Sequence, residues 1–392
     1  MAKAKKLEQT RGEFKIKGLV KGIDRDNAYE EGVRPSGRYA GRTFRKLNLG
    51  IQTSENNQLR LGMFSYEPDE VFLWNNDKRK KDPNYKGERI PFEEYLQKKE
   101  ILKANGTAVL QARIGVDYDD DGKLISHGLT TYEASEEIYD NIDNDDSVYV
   151  EGQISYSEYK NRQDEMVTGI NYNVNRLFKS NTDFDLRAED YEEQDYYEQQ
   201  FVYVDSMVDK AKKQLVVIGR IIDYQENTVD TNFVINYGED KGMAKLAENM
   251  KKKFKFGDLV TVFGQLVNRS VEQDVEEEED DLLSALGGKA QPSHAKRANF
   301  TYEREMTIDG VLEWEKGFYS EEDFYANEII EEEEEEKNDL TSELGGKSAP
   351  KNDNPFANLD MEDEDEDEAD PFSDDPFADD SDDDISDDDM PF

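Results

Sequence analysis

Cysteine is absent from the 392 residues, which excludes disulfides, iron–sulfur clusters and every cysteine-containing zinc site. Histidine is nearly absent. His127 and His294 have no cysteine partner and no evident triad, so a polyhistidine metal site is excluded as well. No apolar run approaches the length of a membrane-spanning helix. The start, Met1-Ala2-Lys3-Ala4-Lys5-Lys6-Leu7, lacks the apolar region of a secretory signal. Nor is there a G-x-G-x-x-G after a strand, or a G-x-x-x-x-G-K-[ST] loop. Gly287-Gly288-Lys289 and Gly345-Gly346-Lys347 lack the flanking strand and spacing of phosphate loops. These absences lead us to expect a non-enzymatic protein of a reducing cytoplasm, without metal, cofactor or membrane anchor.

Charge of one sign is abundant. Asp and Glu number 93 against 49 Lys and Arg, for a formal net charge of -44. The excess is concentrated: residues 321–392 contribute 32 acids and three lysines, and residues 272–281 eight acids and no base. Residues 1–50 run the other way, with 13 basic and 6 acidic side chains. The local distribution is therefore a better guide to partners than the total.

Period-two alternation dominates the body and predicts a mostly β fold. Strand patterns occupy residues 14–20, 44–52, 58–64, 71–74, 107–116, 147–155 and 170–178. Helical patterns fall at 92–102 and 130–142. After a polar, acidic stretch at 181–199, strands recur at 214–223, 231–237, 259–267 and 305–313, around a helix at 241–253. Asp146-Ser147-Val148-Tyr149-Val150-Glu151-Gly152-Gln153-Ile154 aligns without a gap to Asp258-Leu259-Val260-Thr261-Val262-Phe263-Gly264-Gln265-Leu266. Each is an alternating strand with a glycine where it could bend or bulge, and the match predicts two copies of one small barrel. The expected organisation is domain one at 1–180, a linker at 181–199, domain two at 200–328 with an acidic insertion at 271–297, and a disordered acidic tail at 329–392. A second repeat, Asp281-Leu282-Leu283-Ser284-Ala285-Leu286-Gly287-Gly288-Lys289 and Asp339-Leu340-Thr341-Ser342-Glu343-Leu344-Gly345-Gly346-Lys347, follows acidic runs. Partner docking and functionless duplication are equally open for it.

A protein that holds a nucleic-acid strand without reading its sequence needs cations for phosphates and aromatic rings for bases. Domain one interleaves both. Arg34, Arg38, Tyr39, Arg42, Phe44, Arg45 and Lys46 form one cluster; Trp74, Lys78, Arg79, Lys80, Lys81, Tyr85, Lys86 and Arg89 form another. Lys15, Lys17, Lys21 and Arg60 lie on strand patterns beside them. Domain two offers a thinner set, Lys251, Lys252, Lys253, Lys255 and Arg269, with Phe254 and Phe256 as stacking platforms. Taken singly, each residue is more readily a solvated lysine or a core ring; the interleaving makes the case.

The ending Asp387-Asp388-Asp389-Met390-Pro391-Phe392 resembles that of bacterial and phage single-stranded DNA-binding proteins, where a disordered acidic tail closes on an apolar residue, Pro and Phe. Met390 departs from the commoner Ile or Leu but stays apolar. Asn354-Pro355-Phe356, Asp370-Pro371-Phe372 and Asp375-Pro376-Phe377 echo the tip. The resemblance implies that residues Asp387, Asp388, Asp389, Met390, Pro391 and Phe392 dock on replication and repair proteins such as a polymerase, helicase or recombinase. The strand count looks like two OB-fold barrels, more like a large tailed bacteriophage protein acting in its host cytoplasm than a one-barrel housekeeping copy. The implied function is to bind and protect single-stranded DNA in replication, recombination or repair. A non-catalytic acidic interaction or assembly factor with incidental DNA binding stays open beside it.

Overall fold

A computed structural model describes residues 5–119, 122–160, 166–273 and 299–324. The first alternating segment forms β1 (Gly12–Lys21), with Phe14, Ile16 and Val20 buried and Lys15 exposed. It is followed by β2 (Tyr29–Val33), β3 (Thr43–Gln52) and β4 (Gln58–Tyr66). An insertion then contributes β5 (Glu70–Asn75), α1 (Asn76–Lys81), β6 (Glu88–Pro91), α2 (Phe92–Ala104), β7 (Thr107–Val109), β8 (Ala112–Tyr118) and β9 (Leu124–Leu129). Helix α3 (Thr131–Asn141) leads into β10 (Ser147–Lys160) and β11 (Met166–Lys179). Thr130 caps α3 in a reciprocal box with Glu133, satisfying two otherwise orphan N–H groups. Ala134 and Ile138 then face the core.

These strands close on themselves. β1 pairs with β3, β3 with β4, β10 with β11 and β10 with β1, all antiparallel, while β4 meets β11 in parallel at Gly62 and Asn173. The result is a five-stranded Greek-key barrel of the OB type, with α3 between its third and fourth strands. The same path repeats through β12 (Asp195–Asp209), β13 (Gln214–Ile222), β14 (Thr228–Asn236), α4 (Lys241–Lys253), β15 (Leu259–Gln273), β16 (Asn299–Met306) and β17 (Gly310–Glu315). β12 pairs with β13, β13 with β14, β15 with both β16 and β12, and a parallel bridge from Val234 to Thr307 closes the ring. Asp240 caps α4, accepting from the Gly242 and Met243 amides. The chain is mostly β, as its alternation predicts.

The nine-residue repeat falls on corresponding strands, β10 and β15. Both glycines act alike: a Cβ on Gly152 would fall 2.0 Å from the Asn173 carbonyl oxygen, and one on Gly264 1.7 Å from that of Thr307. Phe14 lies opposite Gly152, and Tyr197 opposite Gly264. Phe14 and Tyr197 in turn pair with each other where β1 and β12 run antiparallel. The barrels are thus related by an approximate two-fold axis between these residues, an isologous interface built within one chain. Both rings are essentially fully buried, and each such side chain contributes roughly 1.5–3 kcal/mol. One continuous apolar core joins the barrels, whereas Val71, Leu73, Phe92, Tyr95, Val109 and Tyr132 form a separate core in and beside the insertion.

Several boundaries differ from the sequence expectation. The linker at 181–199 gives way to β12 at Asp195, because the ladder with β1 satisfies its backbone despite the acidic side chains. The single strand at 107–116 is two, β7 and β8. The strand at 305–313 breaks between Met306 and Gly310, where Thr307 bridges to Val234 and the Ile308 amide donates to the Val234 carbonyl. The Gly- and Arg-rich stretch after β1 contains β2. Most of the acidic insertion, the Leu-Gly-Gly-Lys repeats and the tail at 329–392 lie outside the described residues.

Candidate nucleic-acid interface

Alternation in β3 and β4 places odd-numbered Leu47, Leu49, Ile51, Leu59, Leu61 and Met63 in the barrel core. The even-numbered side chains must then point outward. Register sets Phe44 opposite Tyr66, Lys46 opposite Phe64, and Gly50 opposite Arg60. The rings form a continuous series. Phe44 stacks on Phe64 at 5.8 Å, Phe64 meets Tyr66 edge-on at 5.1 Å, and Tyr66 stacks on Tyr39 at 4.6 Å. Arg42 lies 5.7 Å from the Tyr39 ring centre and 5.8 Å from that of Tyr66, and Arg38 lies 5.6 Å from that of Tyr39. Tyr39 belongs to a loop folded back by the amide of Gly41 donating to the Arg34 carbonyl. Burial lowers the pKa of Lys46 and neighbouring Arg60 lowers it further, against an opposing effect of Glu30. A cation destabilised in this way gains by meeting a phosphate.

Of the residues singled out from sequence, Arg38, Tyr39, Arg42, Phe44, Lys46 and Arg60 meet on or beside this face. Phe64 and Tyr66, which belong to neither sequence cluster, complete it; their even spacing from Arg60 along β4 is the signal the sequence carries for them. Arg45 does not belong. Its parity turns it to the other side, where it bonds Glu31 and Glu136 at 3.2 and 3.0 Å and lies 4.0 Å over Tyr132. Arg34 sits at the base of the Tyr39 loop.

The second cluster surrounds the three-stranded sheet β6-β5-β7 of the insertion. Phe72, Trp74 and Tyr85 make a ring strip, with centres 6.4 and 5.5 Å apart. Lys78 lies 5.6 Å over Tyr85, and Arg89 5.9 Å over Phe72. Lys80, Lys81 and Lys86 are exposed around it, whereas Arg79 donates to the Pro83 and Tyr85 carbonyls. The insertion follows β4 directly, so it continues from the Tyr66 end of the face, where Arg42 also pairs with Asp69 at 2.9 Å.

The remaining expected residues are elsewhere. Lys15 is exposed on β1, and Lys17 lies 4.8 Å over Tyr191 in a patch shared with Phe184 and Tyr149. Lys253 and Lys255 flank the end of α4, but Phe254 between them cannot serve as a platform. It is buried, stacked 4.2 Å from Trp314, because the end of α4 must close the second barrel. The tip residues lie outside the described part.

A family model described as YorF matches residues 86–343. The chain belongs to the YorF family. The matched span covers most of the insertion, the second half of the first barrel and the whole second barrel, but not β3 or β4. No curated protein sequence matches the chain. Among solved structures, a crystal structure of a deletion mutant of the single-stranded DNA-binding protein from Thermus aquaticus aligns over 69% of this chain and 100% of that one. Identity is 11% and the TM-score 0.30. Among the described residues no helix is long and apolar enough to cross a membrane.

Proposed function

We propose that this YorF-family chain binds single-stranded DNA on the outward face of β3 and β4. The observation that carries the reading is the unbroken series Phe44, Phe64, Tyr66 and Tyr39, with Lys46 and Arg60 set between and beside the rings. Rings at this spacing receive unstacked bases, while the cations take phosphates and release counterions. The face presents π surfaces, which unstacked bases can meet and paired bases cannot, and this favours the single strand. The Phe72, Trp74 and Tyr85 strip, with its surrounding lysines, extends the contact beyond the Tyr66 end. Lys15, Lys17, Lys253 and Lys255 serve as peripheral cations.

The acidic segment ending in Met390, Pro391 and Phe392 would recruit replication, recombination or repair proteins. Its charge of -19 over residues 351–392 opposes DNA and would compete for the basic face. A titration of labelled oligo-dT against duplex of equal length tests the DNA reading; equal affinity for both would refute it. The net charge of -44 favours a second reading, an acidic protein-interaction factor, which that null preference would support.

A further inference from the structure

The turn between β3 and β4 exposes Glu55 and Asn56 but buries Thr53 and Asn57. The β15–β16 hairpin of the second barrel docks on it. The Asn57 side-chain amide donates to the Leu266 carbonyl at 3.0 Å, and its oxygen accepts from the Asn268 amide at 2.7 Å. The Asn268 side chain donates to the Gln58 carbonyl at 2.7 Å. Asn57 also donates to Glu193 and Asp195 at 3.1 Å each, tying the turn to the start of β12 and the residues just before it. The docked hairpin makes a wall beside the β3–β4 turn that an isolated barrel would lack.

Between that wall and the β3–β4 face lies a cleft of about 570 Å³. Arg25 and Lys21 line it from the β1–β2 side, Arg60 from β4, and Arg304 from β16 of the second barrel. Gly50 and the side-chain amides of Asn48, Gln52 and Gln58 also line it, with Asn48 and Gln52 donating to the Asn27 and Glu55 carbonyls; among the described residues of the lining Glu55 is the one acid. The guanidinium groups of Arg25, Arg60 and Arg304 suit the phosphates of a nucleotide, and the amides suit a base edge. The volume is in the range of small-ligand pockets. The cleft shares Arg60 with the aromatic face and lies at the opposite end from Tyr39 and Tyr66.

We propose that this cleft is a second segment of the single-strand path, holding one or two unstacked nucleotides as the strand passes from the first barrel onto the second. The proposal rests on the DNA reading above and adds a joint site that neither barrel has alone. Arg25 and Arg304 are its diagnostic residues, since they stand outside the aromatic series.

The test compares wild type with the R25A/R304A double variant on a dT oligonucleotide of about six residues and one of about twenty, spanning the range of OB-fold site sizes. Both arginines are exposed, and a thermal melt confirms folding. On the long oligonucleotide we expect a loss of about tenfold or more, with the salt slope reduced by about 1.4, or ~0.7 per single-strand phosphate contact. On the short one, the loss should be several-fold smaller. An equal loss at both lengths, or none on the long strand, overturns the cleft. If wild type binds neither oligonucleotide, the DNA reading itself fails, which is a distinguishable result.

Discussion

Replacing Phe64 with alanine removes the ring at the centre of the exposed series. Phe64 contacts Phe44 on one side and Tyr66 on the other, and it is only half-buried on the outside of the barrel. The core residues Leu61 and Met63 of the same strand are untouched, so F64A should leave the fold intact. A base stacked on one ring contributes about 1–3 kcal/mol, which corresponds to a loss of about fivefold to 150-fold in affinity. The upper part of that range is expected, because Phe44 and Tyr66 also lose their lateral support. The F44A/F64A pair should then lose less than the sum of the singles. Anisotropy titrations with a labelled dT oligonucleotide over several salt concentrations separate the roles. F64A should lower affinity at every salt with little change of slope, and F64W should restore most of it. R60A should instead reduce the slope by about 0.7. An F64A affinity within twofold of wild type, or an F64A slope change matching that of R60A, would refute the stacking assignment.

Arg45→Ala should lower the melting temperature through the lost Glu31, Glu136 and Tyr132 contacts, with the salt slope of DNA binding unchanged; a slope change would return Arg45 to the interface. Gly152→Ala and Gly264→Ala each force a methyl into a backbone carbonyl and should cost about 1–3 kcal/mol in urea melts, and wild-type midpoints would contradict the close approach. Burial, reinforced by Glu193, raises Asp195 to about 7. The folded state therefore holds a proton that the unfolded chain has lost, and stability falls as pH rises from about 4 through about 7 by up to about 4 kcal/mol. D195N should flatten that fall, leaving the smaller parts due to Asp309 and Asp223, both also raised by burial. An unchanged pH slope in D195N would refute this. Deleting residues 351–392 should leave oligonucleotide affinity equal or higher while abolishing co-purification of replication proteins. Weaker binding by the truncated chain would sink the competition between tail and DNA.

Local pattern was enough to reveal the β-rich body, most barrel strands, α3 and α4, and the duplication. Alternation reports which side of a strand is wet, and capping residues such as Thr130 and Asp240 mark helix starts irrespective of distant contacts. The duplicated Asp146 and Asp258 segments were legible because each must keep a glycine where a neighbouring carbonyl approaches. Composition likewise separated the acidic C-terminal charge from the basic first fifty residues.

What sequence left undecided depended on partners far along the chain. Arg45 and Lys46 are adjacent cations of equal promise in one dimension. Strand parity in a closed barrel sends one onto Tyr132 and the other onto the open face. Phe254 is flanked by lysines, yet Trp314, sixty residues on, claims its ring. Asp195 read as linker because acidic residues oppose packing, whereas pairing with β1 and the bond from Asn57 hold it in a strand. The cleft has no local signature at all. Arg25 and Arg304 come within one cavity only because the two-fold relation about Phe14 and Tyr197 brings the second barrel's hairpin against the β3–β4 turn. Periodicity is a property of neighbouring residues and survives in sequence; a shared surface between two barrels is a property of their docking, and only the tertiary structure decides it.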